Sequence, residues 1–286
     1  MTNSWTTPAR PGEPLADRYA HRSGTLRGTV RHRLVDRALA EHLPAAPPQR
    51  VLDIGGGTGV QARLLAERGH HVTVLDPDAT MLDRARASWL PYASDAPGSI
   101  AFRHGFGEQA PQLAGTGWDA VLCHGVLMYL EDPVPLLRAL AQCPRPGGIV
   151  SVLAYQADAL AIRHGLTRDW SGALRALHDP VEDNSIGTVS RGVDRAMVLR
   201  VLAEHHLELL QWYGVRVFTD HLEDERAGAD LDEVVRVEWE AGRIDPYRRV
   251  ARHFHLITRA DQDQRAAGAT GGTRATRVIG PRRPAP

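Results

Sequence analysis

Apolar residues follow two alternating patterns along most of this chain. Near the N-terminus they recur at intervals close to 3.6, which predicts a helix over about 15–43 that the prolines of 44–48 end. After it, short unbroken apolar runs alternate with segments of helical spacing. The patterns predict strands at 50–54, 72–76, 100–104, 118–123 and 149–155, and helices at 60–67, 79–88 and 133–142. Strands and helices that alternate in this way favour a parallel, doubly wound sheet with right-handed crossovers.

The second half of the chain departs from this alternation. Residues 156–192 carry no firm period, and we interpret them as an insertion over the carboxyl-terminal edge of the sheet. A helix is predicted at 195–207, and two further strands at 209–218 and 252–259 are joined by an acidic, partly helical segment. The predicted fold class is therefore α/β: a doubly wound, Rossmann-like seven-stranded sheet, mostly parallel with one antiparallel edge strand.

The two ends of the chain differ from its middle in composition. Residues 1–14 are polar with three prolines, and residues 261–286 are rich in Gly, Ala, Thr, Arg and Pro. Such segments cannot bury enough apolar surface to fold. We expect a flexible N-terminus at 1–14, one domain over 15–260 and a disordered tail at 261–286.

A glycine-rich turn follows the first of these strands. Residues 51–59 read V-L-D-I-G-G-G-T-G, and the second strand ends in Asp76, 17 residues past the last glycine. Glycine lets the backbone approach a ligand closely, and an acid at the end of the second strand can hold a ribose diol. Val60 stands where a dinucleotide motif has its third glycine, and Asp53 would repel a pyrophosphate. The turn therefore favours a nucleoside with a cationic amino-acid tail.

Composition and charge narrow the function only a little. The 286 residues hold 34 basic and 34 acidic side chains, and every basic one is arginine, so bulk charge indicates neither a nucleic-acid nor a membrane partner. The two cysteines match no metal site, so we expect reduced thiols in a cytoplasmic protein. No signal-peptide pattern or membrane span is present, and no histidine cluster indicates a metal.

The turn and its two acids resemble motif I of the class I methyltransferases that use S-adenosylmethionine (SAM). More narrowly, the chain resembles the bacterial tRNA 5-carboxymethoxyuridine methyltransferases over roughly residues 15–260. The segments that carry this likeness are S-G-T-L-R-G-T-V-R at 23–31, the glycine turn, A-E-R-G-H at 66–70, H-G-V-L-M-Y-L-E-D-P at 124–133, G-V-R-V-F-T-D-H-L at 214–222 and R-H-F-H-L-I-T-R at 252–259. The resemblance implies methyl transfer from SAM to a carboxylate on a wobble uridine of tRNA.

The resemblance also implies a set of cofactor contacts. They are Arg31, Gly55, Gly56, Asp76, Gly107, Glu108 and His124. An arginine can form a bidentate pair with the methionine carboxylate, Asp76 can hold the ribose, and a backbone N–H with a side-chain acceptor at 107–108 can read the adenine edge. From the motif itself we add Gly57 to the turn and place Asp53 near the methionine ammonium.

Catalytic and acceptor residues follow from the chemistry. A carboxylate nucleophile is ionised at neutral pH and needs no general base. For a hydroxyl or amine acceptor a base near the methyl would help, and His124 and Tyr129 are then the candidates. Arg216 is a candidate contact for an anionic acceptor.

Other functions stay open at this point. Residues 220–240 hold nine acids and two arginines, which opposes a phosphate backbone, whereas the stretch up to Arg37 holds seven arginines and three acids. A small-molecule O- or N-methyltransferase is therefore an alternative to a tRNA enzyme. A NAD-dependent oxidoreductase is disfavoured by Val60, and a SAM-binding protein without catalysis is a third possibility.

Overall fold

The computed structural model describes residues 15–183, 188–222 and 225–262, and strands β1 to β9 form one large sheet and one small ribbon. Their bounds are β1 Arg50–Ile54, β2 His71–Asp76, β3 Ser99–His104, β4 Trp118–His124, β5 Pro144–Tyr155, β6 Val181–Asp183, β7 Val189–Arg191, β8 Leu207–Val215 and β9 His253–Ala260. The large sheet has the order β3-β2-β1-β4-β5-β9-β8, and β6 pairs only with β7. Neighbours from β3 through β5 pair in parallel, while β9 is antiparallel to both β5 and β8. The predicted α/β, seven-stranded, mostly parallel sheet is confirmed, and its antiparallel strand lies beside the edge strand β8.

Helices cover both faces of this sheet. They are α1 Leu15–Ser23, α2 Leu26–His42, α3 Val60–Glu67, α4 Ala79–Trp89, α5 Ala110–Leu113, α6 Val134–Gln142, α7 Leu160–Leu166, α8 Trp170–His178, α9 Arg195–Glu204, α10 Leu231–Ala241 and α11 Tyr247–Val250. Short 3-10 turns occupy Leu90–Tyr92, Gly107–Gln109, Leu127–Tyr129 and Ala157–Ala159. Side chains of α2, α3, α4 and α10 bury one face of the sheet, and those of α6 and α9 bury the other.

The predicted N-terminal helix is two helices. Thr25 interrupts it in an extended conformation and caps α2, because its side chain accepts a hydrogen bond from the backbone N–H of Gly28. Helix α2 then buries Val30, Leu34 and Leu39 against the sheet. The break turns α1 across the carboxyl-terminal edge of the sheet, where Tyr19 and Arg22 line a cavity.

The segment predicted to have no firm period contains α7, α8 and the β6–β7 ribbon. These helices were missed although Trp170, Leu174 and Leu177 of α8 recur at helical spacing; the three side chains face solvent. Buried Glu182 ties the ribbon to the sheet by accepting hydrogen bonds from Arg252, just before β9. This contact brings the ribbon beside the end of β9 that begins at His253.

The predictions for the two ends of the chain fall mostly outside the described residues. This applies to the flexibility expected for 1–14 and to all of the predicted tail except residues 261 and 262. Within the described part of the chain, no helix is both long and apolar enough to cross a membrane.

Candidate functional site

The glycine turn after β1 forms the floor of a cavity at the carboxyl-terminal edge of the sheet. Gly55, Gly57 and Gly59 have positive φ values of 69°, 54° and 75°, which favour glycine. A Cβ atom on Gly56 would stand 2.8 Å from Asp53 Oδ2 and 2.9 Å from Val74 Cγ1, so only glycine fits there. The turn is therefore shaped for close approach of the backbone to a ligand.

Nine of the eleven predicted site residues line this cavity, which encloses about 1350 Å³ including the space at its open mouth. They are Arg31, Asp53, Gly55, Gly56, Gly57, Asp76, His124, Tyr129 and Arg216. Parallel pairing brings them together, because β1, β2 and β4 all end at the same edge. Arg31 reaches this edge from α2, and Arg216 from the residue after β8.

Gly107 and Glu108 do not line the cavity. They lie in the 3-10 turn after β3, where Gly107 is buried and Glu108 half-buried. Burial, together with the carboxylates of Asp53 and Glu108, raises the pKa of the Cys123 thiol on β4. Their assignment to the adenine stays a prediction.

Two buried carboxylates stand on the two strands that flank the turn. Asp76 accepts hydrogen bonds from Gly57 N and from Asp78 N, both at 2.9 Å. Asp53 is 2% exposed, and its Oδ2 has no hydrogen-bond partner among the described residues. Burial, and then the nearby Asp76, raises the pKa of Asp53 to about 7 despite the opposing charge of Arg31. A cation next to Asp53 would relieve this cost.

Among the cavity residues that the sequence analysis missed, four carry polar side chains at the end that the arginines occupy. They are Tyr19, Arg22, Tyr155 and His253. Tyr155 ends β5 at the edge where ligands of open α/β sheets bind, so its position alone was a usable signal. His253 begins β9 at the same edge because that strand is antiparallel, which the sequence pattern did not reveal.

Arginines crowd the end of the cavity around Tyr155. Arg22 Nη2 donates to Tyr155 Oη at 2.7 Å, and the Arg252 guanidinium lies 3.9 Å from the centre of the Tyr155 ring. Arg216 Nη2 stands 2.8 Å from Asp220 Oδ1. Arg27 and Arg163 lie close enough to interact electrostatically with each other and with Asp220.

This arginine cluster, defined as Arg22, Arg27, Arg163, Arg216 and Arg252, concentrates positive charge around Tyr155 and Asp220. The carboxylates of Glu182 and Asp220 act on it. Burial raises the pKa of Tyr155, but the charges of Arg22, Arg252 and Arg216 outweigh burial and hold it below its usual value. Burial lowers the pKa of Arg216 to about 9 even with Asp220 beside it. The cluster thus strongly favours a negatively charged oxygen.

The two predicted bases are poorly suited to accept a proton at neutral pH. Burial, followed by His255 and Arg31, lowers the pKa of His124 well below its usual value. Burial and the neighbouring Tyr155 raise the pKa of Tyr129. Both groups are therefore neutral, and Tyr129 is a donor. No group of three or more His, Cys, Asp or Glu side chains suited to a metal ion occurs in the described ranges.

Comparison with known proteins agrees with this site. Residues 52–152 match a family model described as a methyltransferase domain. The tRNA 5-carboxymethoxyuridine methyltransferase of Escherichia coli K12 is 31% identical over 250 residues, which are 86% of this chain and 92% of that protein. The trans-aconitate 2-methyltransferase of Deinococcus radiodurans is 35% identical over 118 residues, which are 41% and 42% of the two chains.

Solved structures share the fold at low identity. Magnesium protoporphyrin IX methyltransferase of Synechocystis, with bound S-adenosylhomocysteine, has a TM-score of 0.57 at 14% identity and covers 86% of this chain and 93% of its own. A SAM-dependent methyltransferase of Methanosarcina mazei has a TM-score of 0.55 at 13% identity and covers 79% and 98%. The glycine turn, its flanking acids and the full-length relative lead to one conclusion: the chain belongs to the class I SAM-dependent methyltransferases, in the family of the tRNA 5-carboxymethoxyuridine methyltransferases.

Proposed function

We propose that this enzyme transfers the methyl group of SAM to a carboxylate and forms a methyl ester, and that the carboxylate belongs to 5-carboxymethoxyuridine in tRNA. SAM supplies a methyl group already activated by a positive sulfur. An O–CH₃ bond forms as the S–CH₃ bond breaks, and no proton is transferred because the carboxylate is ionised at neutral pH. The protein's task is to align the two reactants and exclude water.

The cofactor residues divide along the cavity by charge. Asp76 accepts from the ribose hydroxyls with the lone pairs that the turn leaves unused, and Gly55, Gly56 and Gly57 bring the backbone close to the nucleoside. The unpaired Asp53 Oδ2 is a counter-charge for the methionine ammonium. Arg31 provides two donors for the methionine carboxylate, and Gly107 and Glu108 approach the adenine. Each assignment is a proposal that rests on position and charge.

The arginine cluster is the observation that most supports a carboxylate acceptor. Arg22 and Arg216 line the same cavity as the glycine turn, and they lie close enough to interact electrostatically with Tyr155 and with each other. A buried charge is stabilised only when it is paired. An acceptor carboxylate between Arg22 and Arg216 would be stabilised by both positive charges.

The protonation of the two predicted bases, His124 and Tyr129, supports the same chemistry. Hydroxyl and amine acceptors lose a proton during methylation, and a general base near the methyl speeds that loss. His124 has a lowered pKa and Tyr129 a raised one, so neither is poised to take a proton near pH 7. We therefore favour a carboxylate over both alternatives.

The choice of tRNA rests on the relative from Escherichia coli and on a revised view of the acidic segment. Of the nine acids at 220–240, Asp220 and Glu238 are buried and Asp232 pairs with Arg33 at 2.9 Å. The two buried acids are withdrawn from the open surface, and Arg33 offsets the charge of the exposed Asp232, so the segment repels phosphate less than its composition suggested. Asp230, Glu233 and Glu240 stay exposed on the same segment and would repel a phosphate backbone. A small carboxylic acid is therefore the second candidate acceptor.

The experiment offers three acceptors with SAM labelled in its methyl group. They are tRNA that carries 5-carboxymethoxyuridine, the same tRNA with unmodified uridine, and a set of dicarboxylic and tricarboxylic acids. The proposal expects label in the first tRNA only, released as methanol by mild alkali. Label confined to a small acid would establish the second candidate, and an alkali-stable product would refute ester formation.

Matched variants locate the acceptor on the cluster. Arg216→Gln should raise the KM for the acceptor at least tenfold and leave the Kd for SAM within about twofold, since one charged hydrogen bond is worth about 1.5–3 kcal/mol. Arg236→Gln, an exposed arginine of α10, is the control and should change neither value. An unchanged KM for Arg216→Gln would remove this arginine from the acceptor site.

A further inference from the structure

Three polar side chains on neighbouring strands form a buried chain behind the cavity. His124 is paired in register with Leu153, and Leu153 with His255, so the two histidines lie on one row of the sheet. Ser151 precedes Leu153 by two residues on the same strand face. His255 and Ser151 are fully buried, and His124 alone of the three lines the cavity.

Hydrogen bonds link the three side chains in order. His124 Nε2 lies 2.8 Å from Ser151 Oγ, and Ser151 Oγ lies 2.7 Å from His255 Nε2. Both distances are those of good hydrogen bonds. A serine hydroxyl has one proton, so it donates to one imidazole and accepts from the other. Burial lowers the pKa of both histidines, so each ring is neutral and carries a single proton.

The shared serine couples the two tautomers. One histidine must carry its proton on Nε2 and donate to Ser151, and the other must carry its proton on Nδ1. Neither Nδ1 atom has a hydrogen-bond partner among the described residues. Arg31, whose charge reaches His124, directs Nη2 to His32 Nε2 at 3.2 Å instead.

The surroundings of the two Nδ1 atoms decide which histidine carries its proton on Nδ1 and which on Nε2. A buried N–H without an acceptor is rare in folded proteins. His255 Nδ1 lies in the closed interior, whereas His124 borders the cavity, where a bound ligand offers oxygen acceptors. The proton is better placed on His124 Nδ1, with His255 donating from Nε2 to Ser151 and Ser151 donating to His124 Nε2.

We propose that Ser151 and His255 are positioning residues that hold His124 as its Nδ1–H tautomer, so that His124 donates a hydrogen bond to an anionic oxygen bound in the cavity. This inference extends the proposed function, because that function supplies the anionic oxygens: the methionine carboxylate of SAM and the acceptor carboxylate. It assigns His124 the role of donor and removes it as a general base, since its other nitrogen is occupied by Ser151.

Nitrogen NMR of the histidine rings tests the tautomer in the ligand-free protein. Long-range proton–nitrogen spectra distinguish a protonated ring nitrogen from a bare one, and the signals are assigned by their loss in His124→Gln and His255→Gln. The expected result is a protonated Nδ1 on His124 and a protonated Nε2 on His255. The reverse pattern would overturn the inference. Because this reading needs neither SAM nor acceptor, it stands apart from the test of the proposed function.

Two substitutions test the role of the coupled residues. His255→Leu removes the donor to Ser151, so Ser151 can accept from His124, and His124 should shift to its Nε2–H tautomer. His255→Gln keeps an N–H donor and should preserve the Nδ1–H tautomer. We expect a loss of about tenfold to a hundredfold in kcat/KM for His255→Leu, the range of one charge-assisted hydrogen bond, with substantial rescue in His255→Gln. Equal losses in both variants, with the tautomer unchanged, would contradict the proposal.

Discussion

Glu238 on α10 anchors the segment that carries Arg216, and its replacement tests how the acceptor arginine is held. The carboxylate is fully buried and accepts four hydrogen bonds: from Val217 N at 2.6 Å, Phe218 N at 3.0 Å, Thr219 N at 2.8 Å and Thr219 Oγ1 at 2.7 Å. Arg216 precedes these donors in the left-handed region, with φ 64°, where a residue other than glycine is strained. The carboxylate therefore holds the segment in a conformation that it would not adopt by itself.

The size of the effect follows from this geometry. In Glu238→Gln the amide oxygen can keep the three donors at Oε1, but the amide N–H₂ then faces Val217 N–H, and a buried donor loses its acceptor. Leaving that donor unsatisfied costs about 1–3 kcal/mol, and the three remaining hydrogen bonds lose the strength that a charged acceptor gives them. We expect a fall of about 2–4 kcal/mol in the free energy of unfolding. At about 2–4 °C for each kcal/mol, the Tm should drop by about 5–15 °C.

Urea unfolding and acceptor kinetics measure the two consequences. Glu240→Gln, an exposed glutamate on the same helix, is the matched control and should change stability by less than about 0.5 kcal/mol. At a temperature where both variants are folded, Glu238→Gln should raise the KM for the acceptor and leave the affinity for SAM unchanged. A Glu238→Gln protein as stable as its control would refute the anchoring role.

Two further predictions concern the cofactor acids. Asp76→Ala should abolish SAM binding in calorimetry, because it removes the proposed ribose contact and the acceptor for Gly57 N. The control Asp83→Ala, on the exposed side of α4, should bind SAM normally. Retained affinity for SAM in Asp76→Ala would count against the ribose contact. Asp53→Asn should weaken SAM binding but stabilise the free protein at pH 8. Because burial raises the pKa of Asp53, the charged carboxylate destabilises the fold increasingly as pH rises from about 4 to about 7. The variant's gain in the free energy of unfolding, a few kcal/mol at most, should therefore vanish near pH 4. Denaturation curves at pH 4 and pH 8 that show no difference in this gain would contradict the assignment.

The sequence was sufficient for the nucleoside-binding half of the fold. The first strand and the helix after it have the predicted bounds, Arg50–Ile54 and Val60–Glu67, because apolar periodicity and the glycine turn act locally there. The same reasoning placed Asp76 and His124 at one edge, since parallel strands end together. Local patterns did not reveal the break at Thr25, whose effect depends on a single capping hydroxyl.

The acceptor end was harder to predict because distant segments build it. Arg22 comes from α1, Tyr155 from β5 and His253 from an antiparallel strand whose direction no local pattern gives. Arg216 fell inside the predicted strand 209–218. It lies just past the end of β8 and is buried because its left-handed backbone turns it into the cavity. The concentration of arginines around Tyr155 became visible only when these segments were brought together.

A crystal structure with S-adenosylhomocysteine and the nucleoside 5-carboxymethoxyuridine is the most direct test of carboxylate methylation at this site. We expect the ribose of the cofactor on Asp76, and the carboxylate of the nucleoside within hydrogen-bond distance of Arg22 and Arg216 with one oxygen directed toward the sulfur. A carboxylate bound away from both arginines, with another group of the nucleoside facing the sulfur, would contradict the proposed reaction.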